Sequence, residues 1–204
     1  MKKLIIIGAS GHGKVISDIA NLNGYSDIVF LDDNPAITSC GDYPVVGKTA
    51  LVETLEGDVI VGIGNAQIRK RIQEVIPEYR VVSQIHPNAV IGSHVAIGRG
   101  TVVMAGAVIN YGSIIGKGCI INTCASLDHD CVLGNYVHVA VGSHLCGTVS
   151  IGDNTWVGAG STVSNNMSII ADCVIGAGAV VVKSISEAGI YVGVPAKQLR
   201  RLDT

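Results

Sequence analysis

From Ile85 onward the chain places an aliphatic residue at every sixth position. Ile85, Ile91, Ile97, Val103, Ile109, Ile115, Ile121 and Leu127 begin the series, which runs without insertion to Val181. Four places after each opener the residue is nearly always small, counting Val: Ala89, Val95, Thr101, Ala107, Ser113, Cys119, Ala125 and Cys131, through to Ala179. Only Met167 and Ile185 depart from that second rule. A six-residue period matches neither a helix of 3.6 residues per turn nor a strand of period two. It matches a prism in which each unit supplies one short strand and one corner, three units closing a coil. Residues eighteen apart then stack in parallel register, with coils about 4.8 Å apart and a column roughly 27 Å tall. The opener fills the axis, and the small residue also faces in, where space is narrow. Glycine follows the opener at Gly92, Gly98, Gly116, Gly134, Gly152, Gly158 and Gly176, and is expected at sharp corners.

Before residue 84 the pattern changes. Leu4–Ile7 is a continuous apolar run, as in a buried strand, followed by Gly8-Ala9-Ser10-Gly11-His12-Gly13 and a helical stretch from Lys14 to about Asn23. Ile28–Leu31 reads as a second strand ending at Asp32-Asp33, residues 35–47 as a hairpin or loop, and Lys48–Leu55 as helical. Asp58–Ile63 reads as a strand and Gln67–Ile76 as a helix. Strands alternating with helices imply a small Rossmann-like α/β domain with a mostly parallel sheet. Residues 1–83 are therefore read as one domain, and residues 84–204 as the prism with its tail. After Pro195 the tail is expected to form a short helix carrying Lys197, Arg200 and Arg201.

Composition sharpens this picture. The 204 residues are 48% hydrophobic but only 4% aromatic, so the core must be Ile, Val and Ala, which suits a narrow prism. A net charge of −2 and the lack of a basic run give no reason to expect nucleic acid or an anionic membrane surface as partner. The apolar start is too short for a signal peptide and ends in a glycine turn, and no segment reaches the length of a membrane span. The expected location is the cytoplasm, without membrane insertion. Of the six cysteines, Cys119, Cys131 and Cys173 occupy the inward slot and read as buried small hydrophobes.

Two places carry candidate chemistry. A strand ending in glycine, a tight turn and a helix N-terminus make a phosphate site, and Asp32 and Asp33 end the next strand, where a ribose or base is read. The spacing G-x-x-G-x-G is not the dinucleotide fingerprint, so a plain structural turn with solvated aspartates is the competing reading. Val61-Gly62-Ile63-Gly64-Asn65 adds a second glycine turn on the same edge of a parallel sheet, and Arg69 follows it. Arg69 would either meet a phosphate or lie in solvent.

The second place is Asp128-His129-Asp130, on the outward part of its unit. Flanking acids orient an imidazole and raise its basicity, as a general base requires. An exposed His beside solubilising acids is the competing reading. Gly147, eighteen residues on, should lie one coil above His129 and offer its N–H to a developing oxyanion. His138 and His144 fall on different edges and cannot share a ligand within one chain. With no H-x-x-x-H pair or Cys/His cluster, no metal is expected. Cys124 has no base placed to make it a nucleophile.

Together, the six-residue array, Gly8–Gly13, Leu31-Asp32-Asp33, Ile63-Gly64-Asn65, Asp128-His129-Asp130 and the closing Gly193-Val194-Pro195-Ala196-Lys197 resemble bacterial PglD-type UDP-4-amino-sugar N-acetyltransferases. The sialic acid O-acetyltransferases of the NeuD type are near relatives. The resemblance covers nearly the whole chain. It implies a left-handed parallel β-helix, a homotrimer with active sites between subunits, and acetyl-CoA as co-substrate. It places the nucleotide sugar on Ser10, Gly11, His12, Asp32, Asp33 and Gly64, with Asn122 near the acceptor. It assigns His129 as catalytic base, Asp130 as its acid, and His138, Ala159 and Ala177 to the acetyl-CoA groove. The implied reaction is acetyl transfer to the amino group of a nucleotide-linked 4-amino-4,6-dideoxy sugar. The alternatives are O-acetylation of a sialic acid or related sugar, and a metal-dependent or purely structural trimer.

Overall fold

The computed structural model of the chain describes residues 2–201, with side chains through residue 199. It divides into two compact units after Pro87, where the change of sequence pattern suggested a boundary after residue 83.

The first unit contains β1 (Lys3–Ile7), α1 (Gly11–Leu22), β2 (Asp27–Leu31), β3 (Ser39–Cys40), β4 (Tyr43–Gly47), β5 (Asp58–Val61) and α2 (Ala66–Gln73). β1 is fully apolar apart from Lys3 and pairs in parallel with β2 on one side and β5 on the other. β2 pairs in parallel with β4, and β3 closes a small antiparallel hairpin on β4. The sheet order is β3-β4-β2-β1-β5. The stretch expected to be helical after Lys48 is a single 3-10 segment, Thr49–Glu53.

This order makes β1 the point where the chain changes direction across the sheet. Open α/β sheets bind ligands at the carboxyl edge of such a point. Three segments meet there: the glycine loop after β1, Asp32 after β2, and Gly62–Asn65 after β5. Glycine is required where they touch. A Cβ at Gly13 would strike the Gly8 carbonyl oxygen and come within 2.9 Å of Phe30. A Cβ at Gly8, which has φ +106°, would lie 2.7 Å from Ile63. Gly11 and Gly64 meet nothing within 4 Å. Packing does not explain the lack of a side chain there.

In the second unit each six-residue element forms a two-residue strand, paired with the strand eighteen residues before it and the one eighteen after. One face runs Val90–Ile91, Val108–Ile109, Ser126–Leu127, His144–Leu145, Thr162–Val163, Val180–Val181. A second runs from Ala96–Ile97 through Val132–Leu133 to Ser168–Ile169. The third includes Ile120–Ile121, His138–Val139, Trp156–Val157 and Val174–Ile175. All three ladders are parallel, and the result is a left-handed parallel β-helix. The openers are buried from Val103 onward, and Cys119, Cys131 and Cys173 are 0%, 0% and 1% exposed in the inward slot. Truncating such an opener to alanine costs about 2–5 kcal/mol.

The glycines after the openers have a different reason than corner geometry. Positive φ falls at the fourth place of the unit, at every such position from His94 to Gly178, including Cys124 (56°), Asp130 (57°) and Thr148 (60°). The second-place glycines are held by stacking: a Cβ at Gly98 would sit 2.5 Å from Lys117 N, and one at Gly158 2.5 Å from Ile175 O. The coil above leaves no volume for a methyl group.

The expected C-terminal helix is absent. Lys197–Arg201 is a strand, antiparallel to Gly189–Val192, which itself extends the third face beyond Val174–Ile175. The last coil exposes an edge of unpaired backbone groups. Satisfying them outweighs the helix propensity of Ala196-Lys197-Gln198-Leu199, since propensity differences are only tenths of a kcal/mol per residue.

Candidate active site

His129 and Asp130 occupy the third and fourth places of their unit, at a corner of the prism. Asp130 takes the left-handed conformation, which Asp tolerates better than most residues. Its N–H donates to the Tyr111 carbonyl one coil below at 2.9 Å, and the Thr148 N–H one coil above donates to the His129 carbonyl at 2.9 Å. This turn brings the Asp130 Oδ2 to 2.9 Å from His129 Nδ1. The other carboxylate oxygen lies over Gly112, where a Cβ would approach it to 2.6 Å. Both side chains are 56% exposed, so the pair stands at the surface on a rigid backbone.

Asp128 completes the group. Its Oδ1 accepts from the His129 N–H at 2.8 Å and from Asn110 Nδ2 at 3.1 Å. These two hydrogen bonds hold its carboxyl below the usual range. The His129 imidazole is raised, first by its hydrogen bond to Asp130 and then by the charge of Asp128. With Nδ1–H donating to Asp130, the lone pair is on Nε2. That nitrogen lies over Gly147: a Cβ there would stand 2.6 Å from Nε2 and 2.8 Å from Cε1. Gly147 is buried under the ring, and its N–H has no hydrogen-bond partner among the described residues. An imidazole with an open Nε2, a carboxylate bonded to its Nδ1 and an unpaired amide donor thus share one corner, a set of groups that acyl transfer can use.

Asn122 and His138 are brought together elsewhere, at the third face, and Ala159 and Ala177 lie on higher coils of the corner that follows it. Asn122 Nδ2 lies 3.2 Å from His138 Nε2. Ala159 and Ala177 are exposed, eighteen residues apart on the corner that follows the third face. Their N–H groups have no hydrogen-bond partner among the described residues. Gly160 and Gly178 beside them meet nothing within 4 Å. This smooth corner with unpaired amides suits an extended ligand read through the backbone. The face carrying Ser126 and His144 separates it from the corner of His129. One copy of the chain therefore does not bring the two groups together. His144 is exposed and paired with Ser126 Oγ at 2.8 Å. Among the described residues no group of three or more His, Cys, Asp or Glu is placed to hold a metal ion.

In the first unit, both oxygens of Asp32 are committed to backbone: Oδ2 accepts from the Ala9 N–H at 2.8 Å and Oδ1 from the Asn34 N–H at 2.9 Å. Asp32 thus fastens the glycine loop to β2. Asp33 accepts from the Thr49 N–H at 2.9 Å and is otherwise exposed. Ser10 and Gly11 are exposed at the start of α1. His12 is largely buried, and its Nε2 has no hydrogen-bond partner among the described residues. Burial, with the Arg69 charge adding to it, lowers the His12 pKa to about 4. Arg69 is neither solvated nor placed as a free phosphate ligand. It is 1% exposed and donates through Nη1 to the Ile63 and Gly64 carbonyls at 2.7 and 2.9 Å. It holds the second glycine turn in shape. A lone Arg in a helix carries no sequence signal for that task.

Residues 3–76 match the PglD N-terminal domain family. The chain is 32% identical over 154 residues to the GDP-perosamine N-acetyltransferase of Escherichia coli O157:H7, covering 71% of this chain and 70% of that protein. It is 34% identical over 113 residues to the UDP-N-acetylbacillosamine N-acetyltransferase of Bacillus subtilis (strain 168), a match spanning about half of each, 52% and 52%. Its fold is that of the acetyltransferase domain of PglB from Neisseria gonorrhoeae FA1090, solved in complex with acetyl coenzyme A. The TM-score is 0.92, at 39% identity over 97% of this chain and 99% of that one. A hexapeptide-repeat prism with a His–Asp corner, preceded by a small α/β unit, defines a class of acyltransferases. Within it, the chain belongs to the PglD-type family of sugar N-acetyltransferases.

Proposed function

We propose that this chain moves an acetyl group from acetyl-CoA to the amino group of a nucleotide-linked 4-amino-4,6-dideoxy sugar, with His129 as general base. The observation that carries the reading is the His129 corner: Nδ1 bonded to Asp130 and Nε2 over the unpaired Gly147 amide. The names of the relatives support a nucleotide amino sugar as acceptor, and the acetyl coenzyme A complex supports the donor.

A sugar amine is largely protonated near neutral pH and attacks only once it has lost a proton. The ammonium proton goes to solvent first; His129 Nε2 then takes a second proton as the neutral amine nitrogen bonds to the thioester carbon, and Asp130 stabilises the imidazolium. The Gly147 N–H receives the negative charge that builds on the carbonyl oxygen. Collapse expels the CoA thiolate, which takes the amine-derived proton from His129. No covalent enzyme intermediate is needed, because both substrates are held together. Ser10, Gly11, His12, Asp33 and Gly64 hold the nucleotide sugar, and Asp32 shapes their loop. His138, Ala159 and Ala177 form the acetyl-CoA side, and Asn122 lies near the acceptor, beside His138.

Because His138 on the third face, and Asn122, Ala159 and Ala177 on the turns that follow it, lie away from the corner of His129, a complete site needs residues from two copies. This supports a homotrimer with active sites between subunits. We take the nucleotide to be uridine diphosphate, and the guanosine form is the direct competitor.

A thiol-release assay with acetyl-CoA decides the reading. UDP-linked and GDP-linked 4-amino sugars and free sialic acid are compared. Turnover with the UDP-linked amine is expected, and His129→Ala should lower it about 10²- to 10⁴-fold while the protein sediments unchanged. Retained activity in that variant rejects His129 as base. Preference for the GDP-linked amine rejects the nucleotide assignment.

A further inference from the structure

His138 has a neighbour with no role so far. Trp156 pairs in register with it one coil above. The two rings lie within 5° of parallel with centroids 5.7 Å apart, an offset stack. Trp156 is 50% exposed, unusual for the single tryptophan of a chain that is only 4% aromatic. On the other side of His138, Asn122 is held rigidly. The Thr123 N–H donates to Asn122 Oδ1 at 2.8 Å, so the amide nitrogen is the atom that faces His138 Nε2 at 3.2 Å. An amide nitrogen only donates. His138 Nε2 must therefore accept, and its ring proton sits on Nδ1.

We propose that Trp156 and Asn122 are positioning residues that clamp His138 as a neutral, Nδ1-protonated imidazole against the acetyl-CoA side of the site. The clamp separates two histidines that one reaction centre would otherwise confuse. His129 has its Nδ1 proton held by Asp130 and an open Nε2, so it takes a proton. His138 has its Nε2 lone pair occupied by Asn122, so it does not compete as a base. Trp156 fixes the plane of the ring, and the backbone of Thr123 fixes the amide that reads it. Placement of the ring against acetyl-CoA rests on the function proposed above, whereas the tautomer does not.

The test therefore has two arms. Long-range ¹H–¹⁵N spectra of the whole protein labelled with ¹⁵N-histidine report the tautomer directly, with the His138 signals assigned by their loss in His138→Gln. The expected result is a proton on Nδ1 in the wild type, and a shift to Nε2–H or imidazolium in Asn122→Asp, whose carboxylate accepts. A wild-type ring protonated on Nε2 overturns the clamp, whatever the enzyme does. In the second arm, Trp156→Leu should raise the KM for acetyl-CoA about three- to tenfold, the worth of an aromatic pair. The pH at which kcat/KM rises should not change, because His129 is untouched. Trp156→Phe should restore KM to within about threefold. An unchanged KM in the leucine variant, or equal losses in both variants, rejects the stacking role. Absence of all transferase activity would reject the proposed function and leave the tautomer result standing.

Discussion

Gly147→Ala separates catalysis from stability at one atom. Gly147 is not among the positive-φ positions, so alanine fits its backbone. The added Cβ, however, would stand 2.6 Å from His129 Nε2, 2.8 Å from Cε1 and 3.2 Å from Cδ2. Carbon contacts settle near 3.5–4.0 Å, so the ring must retreat by about 1 Å. His129 is half exposed, so it swings towards solvent and the core is not disturbed. Alanine in place of a compatible glycine gains about 0.4–1 kcal/mol by restricting the unfolded chain. An off-rotamer imidazole loses about 0.5–1.5 kcal/mol. Net stability should therefore change by less than about 1 kcal/mol. A base displaced by about 1 Å loses on the order of 10²-fold in rate, which is about 2.7 kcal/mol of transition-state stabilisation. Thermal unfolding and thiol-release kinetics on the same preparation read both quantities. A folded variant with kcat within threefold of wild type would refute the placement of His129 Nε2 as the proton acceptor.

Three further predictions follow from the same geometry. Because Asp130 is the leading cause of the raised His129 pKa, and the base must be neutral to act, kcat/KM of the wild type should rise with pH through a value above 6.5. Asp130→Asn should lower the rate and move that rise to lower pH, and a rise that stays in place in a pH–rate profile would contradict the assignment. His12, with its folded pKa lowered to about 4, is neutral in the native protein while the unfolded chain takes up a proton below about 6.5. Stability should thus fall as pH drops from about 6.5 to 4, by up to about 3 kcal/mol. Urea unfolding of wild type against His12→Gln should show that sensitivity only in the wild type. Asp32→Ala removes the acceptor of the Ala9 N–H and should weaken UDP or GDP binding about ten- to a hundredfold by calorimetry. Unchanged affinity would mean that the glycine loop does not need its tie to β2.

The six-residue register was legible because a stacked prism repeats one environment, so each place in the unit has one fate. Inward cysteines, outward His129 and Gly147 above His129 all followed from counting. Glycine after the opener was visible, but its reason was not. Sequence shows that a residue is small, whereas only the next coil shows what would strike a Cβ. The tail failed for a related reason: its local preference is helical, and the free edge that captures Lys197–Arg201 exists only once the last coil has formed. Arg69 looked like a surface or phosphate-binding cation, because nothing in α2 announces the two carbonyls it holds.

What the chain by itself determined is the periodic half of the protein, since a strict repeat converts sequence distance into spatial distance. It also marked the His–Asp corner and the two glycine turns by their residue types. The tertiary structure decided what those residues are bonded to. It gave Asp32 to the loop backbone, aimed Nε2 of His129 at Gly147, set His138 between Asn122 and Trp156, and put the two halves of the proposed site on different corners. The long-range partners among these lie sixteen to twenty-three residues apart. Orientation of a side chain depends on contacts that no local pattern encodes.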